Sequence, residues 1–198
     1  MKKVSVEQII DAVEKVGDFQ SPDSFMLSYQ EFIAYFKNLE SIEPHNLIIG
    51  SHFVYGWMPR QIELKEPTTE RLSKAAAILD KAKKCGRLAG EWEKERLVFL
   101  KGLINNSLVG TSKLLHFVNP CAYAIWDSHV YNYINNNTSY YQINKPENYL
   151  AYLENCEEIT QDERFKPIHA IVNEKIGYQV TPYRAIEVIM YENGRQLR

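Results

Sequence analysis

Cysteine is scarce in this chain, and its placement excludes sites that depend on clustered thiols. The 198 residues include three cysteines, Cys85, Cys121 and Cys156, which are far apart and odd in number. They form no C-x-x-C pair and cannot build a complete disulfide framework. The five histidines are equally scattered, so the spacing typical of a zinc site or an iron–sulfur cluster is absent. We therefore expect no metal and no cofactor.

Long hydrophobic runs are also missing. Apolar stretches span only a few residues, as between Asn46 and Tyr55, whereas a transmembrane helix needs about 20. The N-terminal segment MKKVSVEQIIDAVEKV places its apolar residues at helical spacing and interrupts them with acidic residues, unlike a signal peptide. These features and the free thiols favour a cytoplasmic protein without a membrane partner.

Neither sign of charge dominates the chain, whose net charge is −2. Residues 1–59 carry a net −4, residues 60–101 a net +4 and residues 102–198 a net −2. This balance is not that of a non-specific polyanion binder. The basic middle section either contacts phosphate or is a solvated helix face rich in Lys and Glu, and charge alone favours the second interpretation.

The composition and the apolar spacing predict a folded, all-helical protein. Aromatic residues make up 12% of the chain, which excludes general disorder. Apolar positions recur at helical spacing in segment 4–16, and a second helix is expected to start with Ser21 as N-cap and Pro22 at the first position. Further helices are predicted at 69–82, 91–105, 113–118, 128–134, 146–156, 162–176 and 182–191. We expect a single all-α domain, 1–198, with eight to ten helices arranged as a compact two-lobed bundle.

Segment 107–134, SLVGTSKLLHFVNPCAYAIWDSHVYNYI, is the most unusual part of the chain. Its only fully charged residues are Lys113 and Asp127, in a dense apolar and aromatic background. A turn is expected at 105–110 and an extended run at 121–126, after which Asp127 opens a helix. Asp127 is either a helix N-cap or a partly desolvated carboxylate that stabilises a cation or orients a water. One residue can do both.

This segment resembles the core of the helix-hairpin-helix DNA glycosylases. In that family, two helices joined by a Gly-containing hairpin lead through an extended segment to a catalytic Asp in a V-D-T/S-H-V motif. The matching residues are Leu108, Gly110, Lys113-Leu114-Leu115 and Trp126-Asp127-Ser128-His129-Val130. The resemblance implies that Asp127 is catalytic, that double-stranded DNA is the partner and that the fold is a glycosylase-like bundle with the hairpin and catalytic segment at about 103–136.

The departures from the family bear on lyase activity. Thr111-Ser112 follows Gly110 where the family has a second glycine, and fewer residues than usual separate Lys113 from Asp127. Aligned on Leu108 and Gly110, Leu114 falls where the Schiff-base lysine is expected. The family's cysteine ligands for an iron–sulfur cluster are also absent. We therefore expect a monofunctional, monomeric glycosylase, with Lys113 kept as the alternative nucleophile.

The resemblance also suggests residues for binding DNA and a flipped base. Gly110, Thr111, Ser112, Lys113 and His129 are candidates for contacts with the DNA backbone. The candidates for the base pocket are His52, Tyr55, Trp57, Tyr123 and Trp126. The structural alternatives are a plain tight turn at the hairpin and core positions for the aromatics.

The substrate is not determined by the sequence. The loop-like stretch 47–60, with two glycines and Arg60, suits either a base pocket or a buried connection. The stretch 135–142, NNNTSYYQ, suits a surface loop or hydrogen bonds to a sugar carried on a base. Some compact bacterial glycosylases of this kind remove glucosylated hydroxymethylcytosine from phage DNA, so that base is one candidate. An oxidised purine such as 8-oxoguanine is another; a non-catalytic DNA-binding module and a helical scaffold are the other hypotheses.

Overall fold

A computed structural model describes residues 1–17, 24–87, 91–136 and 141–197, apart from the side chains of residues 91 and 92. These residues form ten α-helices. They are α1 Val6–Val13, α2 Ser24–Lys37, α3 Pro44–Trp57, α4 Thr69–Cys85, α5 Glu91–Leu103, α6 Leu108–Val118, α7 Ser128–Asn135, α8 Pro146–Gln161, α9 Phe165–Ile176 and α10 Pro182–Arg195. Within the described ranges there is no strand, only an isolated antiparallel bridge between Leu64 and Ile104. The prediction of an all-α fold with eight to ten helices is confirmed.

The chain divides into two compact units. Unit 1 combines Met1–Ser21 with Ala124–Arg198 and contains α1 and α7 to α10. Unit 2 is Pro22–Tyr123 and contains α2 to α6. The Ser21-Pro22 start predicted for the second helix lies outside the described residues, as does most of the predicted loop 135–142.

The two ends of α10 show where local sequence signals hold and where packing overrides them. The hydroxyl of Thr181 accepts a hydrogen bond from Arg184 N and Pro182 occupies the first turn, so the predicted helix start is confirmed. The predicted end at Asn193-Gly194 is wrong, because α10 continues to Arg195. Gly194 is a buried contact point of the helix rather than its terminator.

The loop-like interpretation of 47–60 is also wrong over most of its length. Residues Pro44–Trp57 form α3, and the glycine that suggested a loop serves helix packing. A β-carbon on Gly50 would lie 2.3 Å from Cζ of Phe36 and 3.0 Å from Cδ1 of Leu114. Glycine is therefore used in α3 because neighbouring side chains occupy the space that a larger residue would fill.

The helix predicted to start near Lys113 begins five residues earlier. The hydroxyl of Ser107 accepts a hydrogen bond from Gly110 N and caps α6, which starts at Leu108. The turn between α5 and α6 contains Asn105 and Asn106, with φ of 51° and 50°. Asparagine tolerates this left-handed region better than most residues that carry a β-carbon. The hairpin turn thus depends on two asparagines rather than on Gly110.

Candidate functional site

Asp127 opens α7 in unit 1 and is fixed there by the backbone of the helix. Its backbone is extended, with φ −147° and ψ −177°, and its Oδ1 accepts hydrogen bonds from His129 N at 2.9 Å and Val130 N at 3.1 Å. The residue is 7% exposed. The N-cap interpretation is confirmed, and the two bonds to one oxygen fix the orientation of the carboxylate.

The chain before Asp127 only partly follows the predicted extended run at 121–126. Residues 120–122 form a turn in which Ala122 N and Tyr123 N donate to Asn119 O, so the prediction is wrong for its first residues. Residues 123–127 have no helical structure. Trp126, which precedes the carboxylate, is 0% exposed and donates its indole N–H to Ile143 O at 2.9 Å.

Trp126 belongs to the aromatic core of unit 1. Its ring centroid lies 5.1 Å from that of Tyr152 and 5.7 Å from that of Tyr131. This placement corrects the expectation that Trp126 lines a base pocket, because no part of its side chain is open to a ligand. Its contribution to Asp127 is an apolar environment on the preceding residue, in which the interactions of a carboxylate are stronger than in water.

Helix α10 packs closely on the first turn of α7. A β-carbon on Gly194 would lie 2.0 Å from His129 O and 3.2 Å from Tyr133 N, so only glycine fits at this crossing. One turn earlier on α10, the ring of Tyr191 meets the imidazole of His129 edge to face, with 4.9 Å between centroids. His129 is therefore held by the protein on both its backbone and its ring, which corrects the picture of a side chain that only faces DNA.

The same face of α10 brings a tyrosine and a second carboxylate into the electrostatic environment of Asp127. Tyr191 is half-buried, and burial together with the negative charges of Asp127 and Glu187 raises its pKa. Glu187 is 3% exposed and forms an ion pair with Arg184. Tyr191 and Glu187 are residues that sequence reasoning missed; their spacing of four on a helix was the only available signal.

Another missed residue is Asn132, in the middle of α7. Its side chain is fully buried, and neither atom of its amide has a hydrogen-bond partner among the described residues. Buried amides are almost always paired in native proteins. The sequence gives no signal for this feature, because asparagine is also common at exposed positions.

In unit 2, Gly110 lies in the first turn of α6 against a buried tyrosine. A β-carbon on Gly110 would lie 2.5 Å from the hydroxyl of Tyr55 and 2.9 Å from its ring. Tyr55 is 3% exposed and burial raises its pKa. Tyr55 is therefore a packing partner of the hairpin, which corrects its assignment to an open base pocket.

The hydroxyls next to Gly110 are already used inside the helix. Thr111 Oγ1 donates to Ser107 O at 2.8 Å and Ser112 Oγ donates to Val109 O at 2.9 Å, and both residues are 0% exposed. This corrects the expectation that Thr111 and Ser112 offer side-chain donors to a phosphate. The prediction that remains for the hairpin is phosphate binding by backbone N–H groups at the start of α6.

Lys113 is packed against an aromatic cluster rather than extended into solvent. Its Nζ lies 5.3 Å from the ring centroid of Trp57, and the residue is 8% exposed. Trp57 is half-buried, touches Phe117 edge to face and donates its indole N–H to Phe25 O. A cation over an indole face is stabilised by the ring quadrupole.

A buried hydrogen-bonded chain lies one turn further along α6. His116 Nδ1 is 2.7 Å from Tyr123 O, and a carbonyl can only accept, so Nδ1 carries a proton. His116 Nε2 is 2.8 Å from the hydroxyl of Tyr29, which donates to it when the imidazole is neutral. His116 is therefore a fully satisfied core histidine.

The remaining base-pocket candidates differ in their accessibility. His52 is exposed and its Nδ1 lies 2.8 Å from Ile48 O, one turn back on α3. Tyr123 is 2% exposed and lines a cavity of about 10 Å³, together with Glu93 and Arg96. That volume holds about one water molecule, so it cannot accept a nucleobase. Among the five pocket candidates, His52 and Trp57 have accessible surface.

Two further searches bear on the predictions of no metal and no membrane partner. Within the described residues, no group of three or more His, Cys, Asp or Glu side chains is arranged to hold a metal ion. No helix in the same part of the chain is long and apolar enough to cross a membrane.

Comparison of the chain with protein-family models, with curated proteins and with solved structures finds no match.

Proposed function

We propose that this protein is a monofunctional DNA glycosylase in which Asp127 is the catalytic carboxylate. The observation that carries the proposal is the buried Asp127 at the start of α7, held by two backbone N–H groups directly after the buried Trp126. This is the arrangement implied by the resemblance of segment 107–134 to the helix-hairpin-helix glycosylases. The enzyme would act in the cytoplasm on double-stranded DNA.

The chemistry follows from the charge that hydrolysis creates. Breaking the N-glycosidic bond builds positive charge on the deoxyribose, and a fixed carboxylate in a site that excludes water stabilises that charge most. The carboxylate of Asp127 can also take a proton from the attacking water. The water oxygen then bonds to C1′, the base leaves with the electrons of the C–N bond, and an abasic site remains.

The environment of Lys113 supports hydrolysis without lyase activity. A lyase needs an uncharged amine that attacks C1′, whereas Lys113 is positioned as a cation over Trp57 and has 8% of its surface exposed. The misalignment of Lys113 with the family's lysine supports the same conclusion. Lys113 is therefore assigned to the packing of unit 2.

The proposed substrate is a modified base that has been flipped out of the duplex. A bulky base such as glucosylated hydroxymethylcytosine of phage DNA would give the protein a role in antiviral defence. An oxidised purine would make it a repair enzyme. Either base must leave the helical stack before Asp127 can reach its glycosidic bond.

An abasic-site assay on a panel of duplexes tests the proposal. The panel contains unmodified DNA, 8-oxoguanine, uracil, alkylated bases, hydroxymethylcytosine and glucosylated hydroxymethylcytosine. We expect one duplex to be cleaved after alkali treatment and not before it. Cleavage without alkali would contradict the absence of lyase activity, and salt-dependent DNA binding without abasic sites would assign the chain to the non-catalytic modules.

A further inference from the structure

The buried amide of Asn132 distinguishes this residue from the other buried asparagines of unit 1. Its exposure is 0%, and its Oδ1 and Nδ2 both lack a hydrogen-bond partner among the described residues. An amide removed from water without a partner destabilises the fold. Such a residue persists where its polar atoms have a use that the protein alone does not provide.

The comparison within unit 1 is direct. Asn155 Oδ1 accepts from Val4 N at 2.8 Å and its Nδ2 donates to Val4 O at 2.9 Å. Asn173 accepts from Val180 N and donates to Gln179. Both amides therefore tie separate segments together, which explains their burial as structural, and this explanation does not apply to Asn132.

Asn132 is also close in sequence and structure to the proposed catalytic residue. It lies five residues after Asp127 on the same helix and three after His129. The turn that contains it packs against α10 at Gly194, where the helices approach so closely that a β-carbon would meet His129 O at 2.0 Å. The neighbouring turn of α10 carries Tyr191. Asn132 is thus part of the polar interior that also contains the Asp127 site.

We propose that Asn132 is a ligand-binding residue of this site and that its amide binds a group offering one hydrogen-bond donor and one acceptor. The amide oxygen accepts and the NH₂ donates, so the side chain is complementary to such a pair. Two sources supply this chemistry: the edge of a flipped nucleobase and an enclosed water molecule. The nucleobase arm rests on the proposed glycosylase function, whereas the water arm does not.

Asn132→Leu, with Asn155→Leu as the matched control, tests the proposal on the full chain. Leucine has a similar volume and removes both polar atoms. We expect Asn155→Leu to lower the melting temperature by several degrees, since it leaves the N–H and C=O of Val4 without partners. Asn132→Ala is made in parallel, in case leucine does not fit and the first variant fails to fold.

The measurements separate the two sources. If the ligand is a base edge, Asn132→Leu keeps its melting temperature, while base release from the substrate found in the panel falls about tenfold or more. If the ligand is water, the side-chain NH₂ of Asn132 in the DNA-free wild type shows a nuclear Overhauser effect to a long-lived water, and Asn132→Leu loses melting temperature. Either result supports a ligand on the amide.

One combination would overturn the inference. If Asn132→Leu melts at or above the wild-type temperature, releases base at the wild-type rate and the wild-type amide shows no contact with water, then Asn132 binds neither ligand. A wild type that releases no base from any duplex refutes the proposed glycosylase instead. The water measurement then decides the Asn132 proposal alone.

Discussion

Replacing Gly194 by alanine tests the packing of α10 on the helix that Asp127 opens. The added β-carbon would lie 2.0 Å from His129 O and 2.8 Å from His129 C. These are backbone atoms, so no rotation of a side chain relieves the clash, and one helix must shift. Overpacking of this kind destabilises by about 3 kcal/mol, and the higher helix propensity of alanine offsets about 1 kcal/mol. We expect a net loss of about 2 kcal/mol.

Thermal unfolding of the full chain measures this loss. For a protein of this size, about 2 kcal/mol lowers the melting temperature by about 4 to 8 °C. Gly102→Ala is the matched control, because Gly102 also lies in a helix and nothing is within 4 Å of the β-carbon it would gain. That control is expected to melt at or slightly above the wild-type temperature. A Gly194→Ala variant that melts with the control would refute the close crossing of α7 and α10.

Three further predictions follow from contacts described above. Lys113→Met keeps the packed stem and loses the cation over Trp57, so it should lower the stability measured in urea by about 1 kcal/mol and leave alkali-dependent cleavage unchanged; a loss of cleavage at unchanged stability would return Lys113 to catalysis. Gly110→Ala should destabilise the protein by about 1 to 3 kcal/mol, because the new β-carbon meets the buried Tyr55 ring, and an unchanged urea midpoint would contradict this. Burial raises the pKa of Tyr152 well above its ordinary value of 10.0, so stability is constant below pH 10 and falls above it, when the unfolded chain ionises first. Tyr152→Phe should flatten this alkaline loss in urea unfolding measured from pH 8 to 11, and an identical decline in both proteins would show that Tyr152 is not its cause.

The local signals in the sequence predict helices well where backbone hydrogen bonds decide the structure. Thr181 and Pro182 mark the start of α10, and Asp127 marks the start of α7, because a side-chain oxygen or a fixed φ acts on the first turn itself. These effects need no information about the rest of the fold. The all-α class follows from such signals together with the apolar periodicity.

The glycines show why other parts of the structure are not predictable from one sequence. Gly50, Gly110 and Gly194 suggested a loop, a hairpin and a helix end, yet all three lie inside helices, where a neighbouring atom occupies the position of a β-carbon. Whether a glycine serves a turn or a close contact depends on residues distant in sequence. The positive φ values of the hairpin fall instead on Asn105 and Asn106.

The candidate site shows the same division. The position of Asp127 is readable from its motif, whereas the burial of Asn132 and the approach of Tyr191 depend on how α10 packs against α7. The aromatic residues assigned to a base pocket were abundant enough to suggest one. Trp126 and Tyr55 are core residues instead, since tertiary packing rather than composition determines which rings remain accessible.

The rate of base release by Asp127→Asn, measured in single turnover beside the wild type, tests the central claim most directly. Asparagine is as good an N-cap as aspartate and keeps an oxygen for His129 N and Val130 N, so the fold and the melting temperature should be preserved. The account predicts that abasic-site formation falls by about 100-fold or more. A variant that folds like the wild type and releases base at the same rate would contradict the assignment of Asp127 as the catalytic carboxylate.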